Sequence, residues 1–295
     1  MSTNAQGPVV ALYGSKRQHN FTSQIQDFLA ASARAQATVL MHAKLYHHLV
    51  ELLGSLPPIV HPVNPGEHFD ADIAVSLGGD GTFLRTVQWI GARRMPVVGI
   101  NTGHLGYLAA LSIDELPKLY DLIASDAFHT EPRNLLEVVS PVLPDAVGQY
   151  ALNEVALCKE ESASMIFANV YLDGHPLADY RCDGLIVATS TGSTAYNLSV
   201  GGPIIQPTVP VWVLSPVAAH SLSMRPIVVN ASSRVSILPS GRSAHVRLAL
   251  DGRSVLLDIG TEVVIESAPF ELLLLRRDGH NFADTLRRKL HWGEQ

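Results

Sequence analysis

Residues 76–86 read Ser-Leu-Gly-Gly-Asp-Gly-Thr-Phe-Leu-Arg-Thr, and the fold class follows from this stretch. The apolar run Ala71–Leu77 ends on two glycines, a single carboxylate (Asp80) and a third glycine, and from Thr82 to Ala92 the pattern is helical. An apolar strand, a tight turn and a helix together open a parallel-sheet unit. Glycine lets a backbone approach a ligand closely and adopt dihedrals that other residues resist. Free N–H groups at a strand-to-helix turn form an anion site. A lone carboxylate among such amides is costly unless it touches a hydroxyl or a metal ion. The segment therefore points to phosphoryl transfer or nucleotide binding. The plainer alternative is a tight loop whose aspartate caps the helix.

The flanking sequence extends the pattern. Pro8–Tyr13 reads as a strand that runs into the loop Gly14-Ser15-Lys16-Arg17. Phe21, Ile25, Phe28 and Leu29 give helical spacing over 21–34, Val39–Met41 a second strand, 43–53 a helix and Val97–Ile100 a further strand. Alternating strand and helix predicts an α/β domain, a parallel sheet with crossover helices. Ligands in such sheets sit beyond the carboxyl ends of the strands, where Gly78–Thr82 and Asn101–Gly106 both fall. After about residue 130 the character changes. Short β-prone runs follow one another: 135–139, 149–157, 166–172, 185–188, 211–214, 227–229, 235–238, 246–250 and 263–265. Asp-Gly pairs at 173–174 and 251–252 predict tight hairpins, and no long helix interrupts the run. Asn281 can cap a last helix with Phe282, Leu286 and Leu290 on one stripe, which needs a docking surface on the first domain. The expected organisation is an α/β N-terminal domain over 1–130, an all-β domain over 131–270, and a segment 271–295 returning to the first.

Composition narrows the function classes. Hydrophobic residues make up 47% of the chain and charged ones 16%, enough for large cores and against wholesale disorder. A net charge of −6 argues against a nucleic-acid partner. Cys158 and Cys182 form no CxxC, so neither a disulfide framework nor a zinc site is expected. The opening Met-Ser-Thr-Asn-Ala-Gln-Gly-Pro does not read as a signal peptide, and no apolar run reaches the roughly 18 residues of a membrane span. A soluble cytoplasmic protein without a membrane partner is expected, with any anionic ligand held by local amides and a few side chains.

Three further elements carry chemistry. Asn101-Thr102-Gly103-His104-Leu105-Gly106-Tyr107 directly follows a strand. Its glycines allow close approach and Tyr107 offers a ring face. Asn153-Glu154 places two polar residues inside a strand-like run, where such pairs are disfavoured. Asn can pair with an adenine edge and Glu can accept ribose hydroxyls, while a hairpin edge or bulge is the plainer alternative. Asp183–Asn197 runs from a carboxylate through an apolar strand into the hydroxyl-rich turn Thr189-Ser190-Thr191-Gly192-Ser193-Thr194-Ala195-Tyr196. The P-loop and G-x-G-x-x-G fingerprints are both missing.

Together these elements resemble the NAD kinase family (inorganic polyphosphate/ATP-NAD kinases). The likeness rests on Gly78–Thr82, Gly103–Tyr107, Asn153-Glu154, Asp183–Tyr196, Gly201-Gly202-Pro203 and His220–Pro226, and runs in order from about residue 70 to 292. The resemblance implies phosphoryl transfer to the 2′-hydroxyl of the adenosine ribose of NAD, giving NADP. It gives Asp80 the role of general base or hydroxyl-orienting group, and Gly79, Gly81 and Thr82 the phosphates. Asn153 and Glu154 then contact adenosine, and Asp183 the nicotinamide side. Thr191, Thr194, Ala195 and Tyr196 wall the adenine and ribose, with Ser199 nearby. Tyr107 lines the adenine site, and His220 matches a family histidine near the site, brought there by a neighbouring subunit of a homodimer or homotetramer. Mg²⁺ is expected to arrive with ATP, since no dense carboxylate cluster offers an all-protein metal site. Ser190 stands where the family usually has proline and Gln206 where it often has histidine. Thr82 is similar to members that accept polyphosphate as well as ATP. Two other readings stay open: a lipid- or sugar-type kinase sharing the Gly-Gly-Asp-Gly core, and a non-catalytic NAD-binding sensor.

Overall fold

Alternating apolar strands and amphipathic helices in the first part of the chain build one open sheet. The computed structural model describes residues 7–15, 20–103, 106–160, 165–279 and 281–291. The chain divides into two compact units, Met1–Glu131 with Leu272–Gln295, and Pro132–Glu271. In the first lie β1 (Val9–Gly14), β2 (Thr38–His42), β3 (Val60–Val63), β4 (Ile73–Leu77), β5 (Pro96–Asn101) and β6 (Leu111–Ser112), with β7 (Phe128–Arg133) reaching its boundary. The helices are α1 (Thr22–Arg34), α2 (Ala43–Leu53), α3 (Asp80–Ile90) and α4 (Leu119–Ala124). The sheet order is β3-β2-β1-β4-β5, then the strand Leu272–Arg277, then β7, with β6 also on β5. The pairings β1–β2, β2–β3, β1–β4, β4–β5 and β5–Leu272–Arg277 are parallel. The order reverses between β1 and β4, which makes a switch point at the carboxyl end of β4. Every residue of β4 is buried, as a central parallel strand requires. Leu12, Ile25, Phe28, Leu49, Val75, Leu77 and Ile100 form the core beside it.

The second unit is a sandwich of two antiparallel sheets. Its strands are β8 (Leu136–Ser140), β9 (Tyr150–Ala151), β10 (Glu154–Lys159), β11 (Ile166–Leu172), β12 (His175–Cys182), β13 (Gly184–Thr189), β14 (Val211–Val217), β15 (Ile227–Asn230), β16 (Val235–Gly241), β17 (His245–Leu250), β18 (Arg253–Asp258) and β19 (Val263–Ser267). One sheet runs β15-β14-β13-β10-β17-β18 and the other β12-β11-β16-β19-β8-β9. Val155, Leu157, Leu185, Val187 and Leu248 of the first sheet share a core with Ala168, Val170, Val235, Ile237 and Ile265 of the second. Side chains alternate along a strand, so once Val155, Leu157 and Leu248 point inward, Glu154, Ala156, Cys158, Arg247 and Ala249 belong to the outer face.

The structure bears out both predicted hairpins. Asp173-Gly174 (φ 51° and 81°) joins Leu172 to His175, and Asp251-Gly252 (φ 47° and 80°) joins Leu250 to Arg253. Positive φ at both central residues is the turn that matches strand twist, and Asp-Gly supplies it at least cost. The closing helix is Phe282–Leu290, capped by the Asn281 side chain, which accepts the Asp284 N–H at 2.8 Å. Two expectations are corrected. The predicted single strand 149–157 is two strands, β9 and β10, because the amides of Leu152, Asn153 and Glu154 turn toward one carboxylate. The predicted helix at 82–92 begins earlier, with Asp80 as its first residue.

Candidate functional site

The Asp80 carboxylate of the first unit is oriented by backbone N–H groups. Gly79 is the N-cap position of α3, yet the Asp80 carboxylate does not cap that helix. Its Oδ2 accepts the Tyr107 N–H at 2.9 Å and its Oδ1 the Leu108 N–H at 3.2 Å. A Cβ on Gly106 would lie 2.0 Å from Asp80 Oδ1, so the loop after β5 needs glycine there to admit the carboxylate. Gly78 (φ +152°) could not carry a Cβ either, since it would meet the Thr82 hydroxyl at 2.5 Å. Gly79 faces open space, and at Gly81 the nearest atom to an added Cβ is the Arg85 guanidinium at 3.9 Å. The two glycines flanking Asp80 thus leave their backbone uncovered. Arg276, 3% exposed, donates to the Tyr107 carbonyl at 2.7 Å and pairs with Glu131 at 3.4 Å. Burial pulls its guanidinium down from the usual arginine range, opposed by the charges of Glu131 and Asp80. Tyr107 is half-buried with Lys289 5.6 Å from its ring centroid. Burial and the Asp80 charge push its phenol up.

The second unit carries a cavity of about 230 Å³ on the outer face of the β10–β13–β17 sheet, lined by Glu154, Cys158, Tyr196, Arg247, Asp251 and small residues between them. Pockets for whole drug-sized ligands measure roughly 300–1,000 Å³, so this one suits a single ring system of a larger molecule. Two other segments, Thr189–Gly192 and the turn at Asp251, converge on Asn153. The Thr189 N–H reaches the Asn153 carbonyl at 2.8 Å, the Thr189 hydroxyl the Leu152 carbonyl at 2.6 Å, and a Cβ on Gly192 would come 2.0 Å from the Asn153 carbonyl oxygen. Asp251 receives the N–H groups of Leu152, Asn153 and Glu154 at 2.7, 2.9 and 3.1 Å. Burial, together with the Asp251 charge, pushes the Glu154 carboxyl up to about 7, opposed by the Tyr196 N–H. Burial also raises the Cys158 thiol, whose partner is the Tyr196 side chain.

Family models match both units: ATP-NAD kinase N-terminal domain over residues 9–128 and ATP-NAD kinase C-terminal domain over 152–276. The NAD kinase of Porphyromonas gingivalis is 39% identical over 285 residues, 96% of this chain and 98% of that one. The NAD kinase of Bacteroides fragilis is 41% identical over 226 residues, 77% and 78% of the two chains. The chain belongs to the NAD kinase family. Among solved structures, an NAD kinase from Archaeoglobus fulgidus in complex with ATP is similar with a TM-score of 0.72 at 26% identity, covering 95% of this chain and 99% of that one. The yeast NADH kinase complexed with NADH has the same fold, with a TM-score of 0.85 at 24% identity and coverage of 99% and 90%.

The residues suggested by the NAD kinase resemblance fall into distinct surroundings. Gly79, Asp80 and Gly81 lie in the turn after β4, Tyr107 reaches Asp80 with its N–H from the loop after β5, and Thr82 is buried. Glu154 and Tyr196 line one cavity with Asn153 buried beside them. Thr191 is buried, with its hydroxyl taken by Arg133 at 3.2 Å. Thr194 and Ala195 are half-buried, Ser199 is exposed, and Asp183 pairs with Lys159 at 2.9 Å. His220 is exposed on the segment after β14, with its N–H on the Arg181 carbonyl. The Gly201-Gly202-Pro203 element has a structural explanation: Gly202 leaves room for the fully buried Asn197 side chain, which donates to the Ser193 and Pro203 carbonyls. His104 and Leu105 lie outside the described residues. Sequence reasoning missed Arg276, Arg133, Asp251 and Arg253. Among the described residues no three metal-ligating side chains cluster, and no helix is long and apolar enough to cross a membrane.

Proposed function

We propose that this chain is an NAD kinase that transfers the γ-phosphoryl group of ATP to the 2′-hydroxyl of the adenosine ribose of NAD, giving NADP. The observation that carries the reading is Asp80, oriented by two backbone N–H groups between two glycines whose backbone is uncovered. Asp80 takes the proton of the ribose hydroxyl, the ribose oxygen bonds to the γ-phosphorus, and the bond from that phosphorus to the β–γ bridging oxygen breaks to release ADP. General-base help of this kind gives about 10²–10⁴-fold; the rest is positioning and charge neutralisation. Gly79, Gly81 and Thr82 serve the phosphates, the two glycines through their backbone, since the Thr82 N–H is taken by the Gly79 carbonyl at 2.8 Å. Asn153 and Glu154 contact adenosine, with Tyr196, Thr191, Thr194 and Ala195 walling it and Ser199 nearby. Asp183 serves the nicotinamide side, Tyr107 the adenine, and His220 acts from a neighbouring subunit of a homodimer or homotetramer.

The second unit is thus the acceptor-binding domain. A divalent metal accompanies ATP, and Mg²⁺ fits the donor set. With no three-ligand cluster among the described residues, the nucleotide's phosphates would hold the ion, with Asp80 as a candidate protein oxygen. The metal's contribution when bound is to neutralise phosphate charge that a chain of net charge −6 does not. A cytoplasmic location agrees with both substrates, and polyphosphate is a second donor to test because of Thr82. Incubation of the purified protein with NAD, ATP and Mg²⁺, followed by an NADP-specific assay, tests the reading. Tight NAD binding by calorimetry with no NADP formed would replace it with the sensor reading.

A further inference from the structure

We propose that Asp251 is a positioning residue of the acceptor site: from the hairpin turn between β17 and β18 it fixes the backbone of Leu152–Glu154 and so sets the direction of the Asn153 and Glu154 side chains. The inference rests on the reading of those two residues as adenosine contacts. Three consecutive N–H groups converge on one carboxylate, two on Oδ1 and one on Oδ2. The first two of these residues, Leu152 and Asn153, separate β9 from β10, which begins at Glu154. Their carbonyl side is fixed independently, through the Thr189 N–H and hydroxyl on the Asn153 and Leu152 carbonyls. The peptide units around Asn153 are therefore gripped on both their donor and acceptor sides, and the side chains they carry have few orientations left.

The protein contains its own control for the turn. Asp173-Gly174 makes a hairpin of the same kind, with positive φ at both residues. There the aspartate is exposed and accepts one N–H, from Arg234 at 2.7 Å. A hairpin of this kind needs only Asp-Gly. The burial of Asp251 (side chain 3% exposed) and its two additional N–H partners exceed what the turn demands. Arg253 supports the arrangement. It pairs with Asp251 at 3.9 Å and donates to the Tyr150 carbonyl at 2.7 Å, the Leu250 carbonyl at 3.1 Å and the Val147 carbonyl. The turn thereby ties the whole stretch before Asn153 to β17. Burying a carboxylate is costly unless its acceptor sites are used, and here two of the three N–H groups it accepts belong to the residues read as adenosine contacts.

Asp251→Asn tests this. The amide keeps one acceptor oxygen and turns an NH₂ group against an N–H donor, so at least one of the three amides loses its partner. We expect the folded variant to bind NAD at least about tenfold more weakly by calorimetry, roughly the loss of one charge-assisted hydrogen bond. KM for NAD should rise in step, with KM for ATP held within about twofold. A merely structural role would lower the active fraction, and hence kcat, without moving KM for NAD, and that outcome overturns the proposal. Amide exchange in the wild-type protein decides the matter even where the variant does not fold. The Leu152, Asn153 and Glu154 amides should be as protected without NAD as the interior Ala156 amide of β10. Exchange at the rate of exposed loop amides overturns the proposal. Wild-type protein that makes no NADP would refute the functional reading instead, and the exchange measurement would still decide whether Asp251 holds these amides.

Discussion

Replacing Glu154 by Gln should make the protein more stable at alkaline pH. In the folded state burial, reinforced by the Asp251 carboxylate, pushes the Glu154 carboxyl from an ordinary 4.5 up to about 7. Asp251 is surrounded by donors, three N–H groups and the Arg253 guanidinium, so a proton placed on it would find no acceptor; the proton of the pair sits on Glu154. Because the folded pKa is raised, the stabilising contribution is complete below the unfolded value and is lost as pH rises through about 7. The gap is about 2.5 pH units, and at about 1.4 kcal/mol per unit the loss approaches roughly 3 kcal/mol by pH 8. Gln keeps the shape and the neutral form. The variant should match wild type near pH 4.5 and exceed it by up to about 3 kcal/mol at pH 8. Denaturant unfolding at pH 5, 6, 7 and 8 measures the difference, and amide exchange in β10 and β13 reports the second unit by itself. Parallel stability–pH curves for the two proteins would refute the reasoning, because they would mean that Glu154 titrates alike folded and unfolded.

The remaining predictions concern turnover. Asp80→Asn should keep the fold and cut kcat by roughly 10²-fold or more; a loss under about tenfold in steady-state assays removes the base role. Gly106→Ala drives a Cβ to 2.0 Å from Asp80 Oδ1, so we expect a folded protein with turnover reduced at least about tenfold, and full activity would mean the carboxylate's position is immaterial. Tyr196→Ala removes a ring that lines the cavity and should raise KM for NAD with kcat little changed, whereas an unchanged KM would make the tyrosine mere scaffold.

What the sequence discloses depends on whether a residue's role leaves a periodic or conformational mark. The β4 turn was legible because an apolar run, three glycines and a helical run follow one another, and each has its own local cause. The hairpins were legible because Asp-Gly alone adopts positive φ cheaply. Gly106 was legible as a point of close approach, but what approaches it is the carboxylate of Asp80, a contact 26 positions away that no local pattern encodes. Arg276 and Arg133 carry no local mark in the sequence, yet they are 3% and 2% exposed and donate to Tyr107 and Thr191. β3 escaped notice because Pro62 interrupts it, which only an edge strand tolerates, and β3 is an edge strand. The strand Leu272–Arg277 was not among the expected strands, and its place beside β5 comes from tertiary pairing.

The acceptor count separates the two held acids. An ionised carboxylate offers about four lone-pair directions. Asp251 gives two on Oδ1 and one on Oδ2 to N–H groups, with the Arg253 guanidinium at 3.9 Å from the latter. It has little left for a ligand, and its burial requires that saturation. Among the described residues Asp80 gives one direction on each oxygen, to Tyr107 and Leu108, which leaves one on each. Two bonds suffice to fix the plane of the carboxylate, and the two remaining lone pairs can meet a hydroxyl proton or a metal-bound water. Orientation without saturation is what a base needs, because a proton acceptor with no free lone pair cannot act. By the same logic, a third donor introduced near Asp80 would cost turnover without disturbing the fold, whereas a donor removed from Asp251 disturbs the acceptor site first.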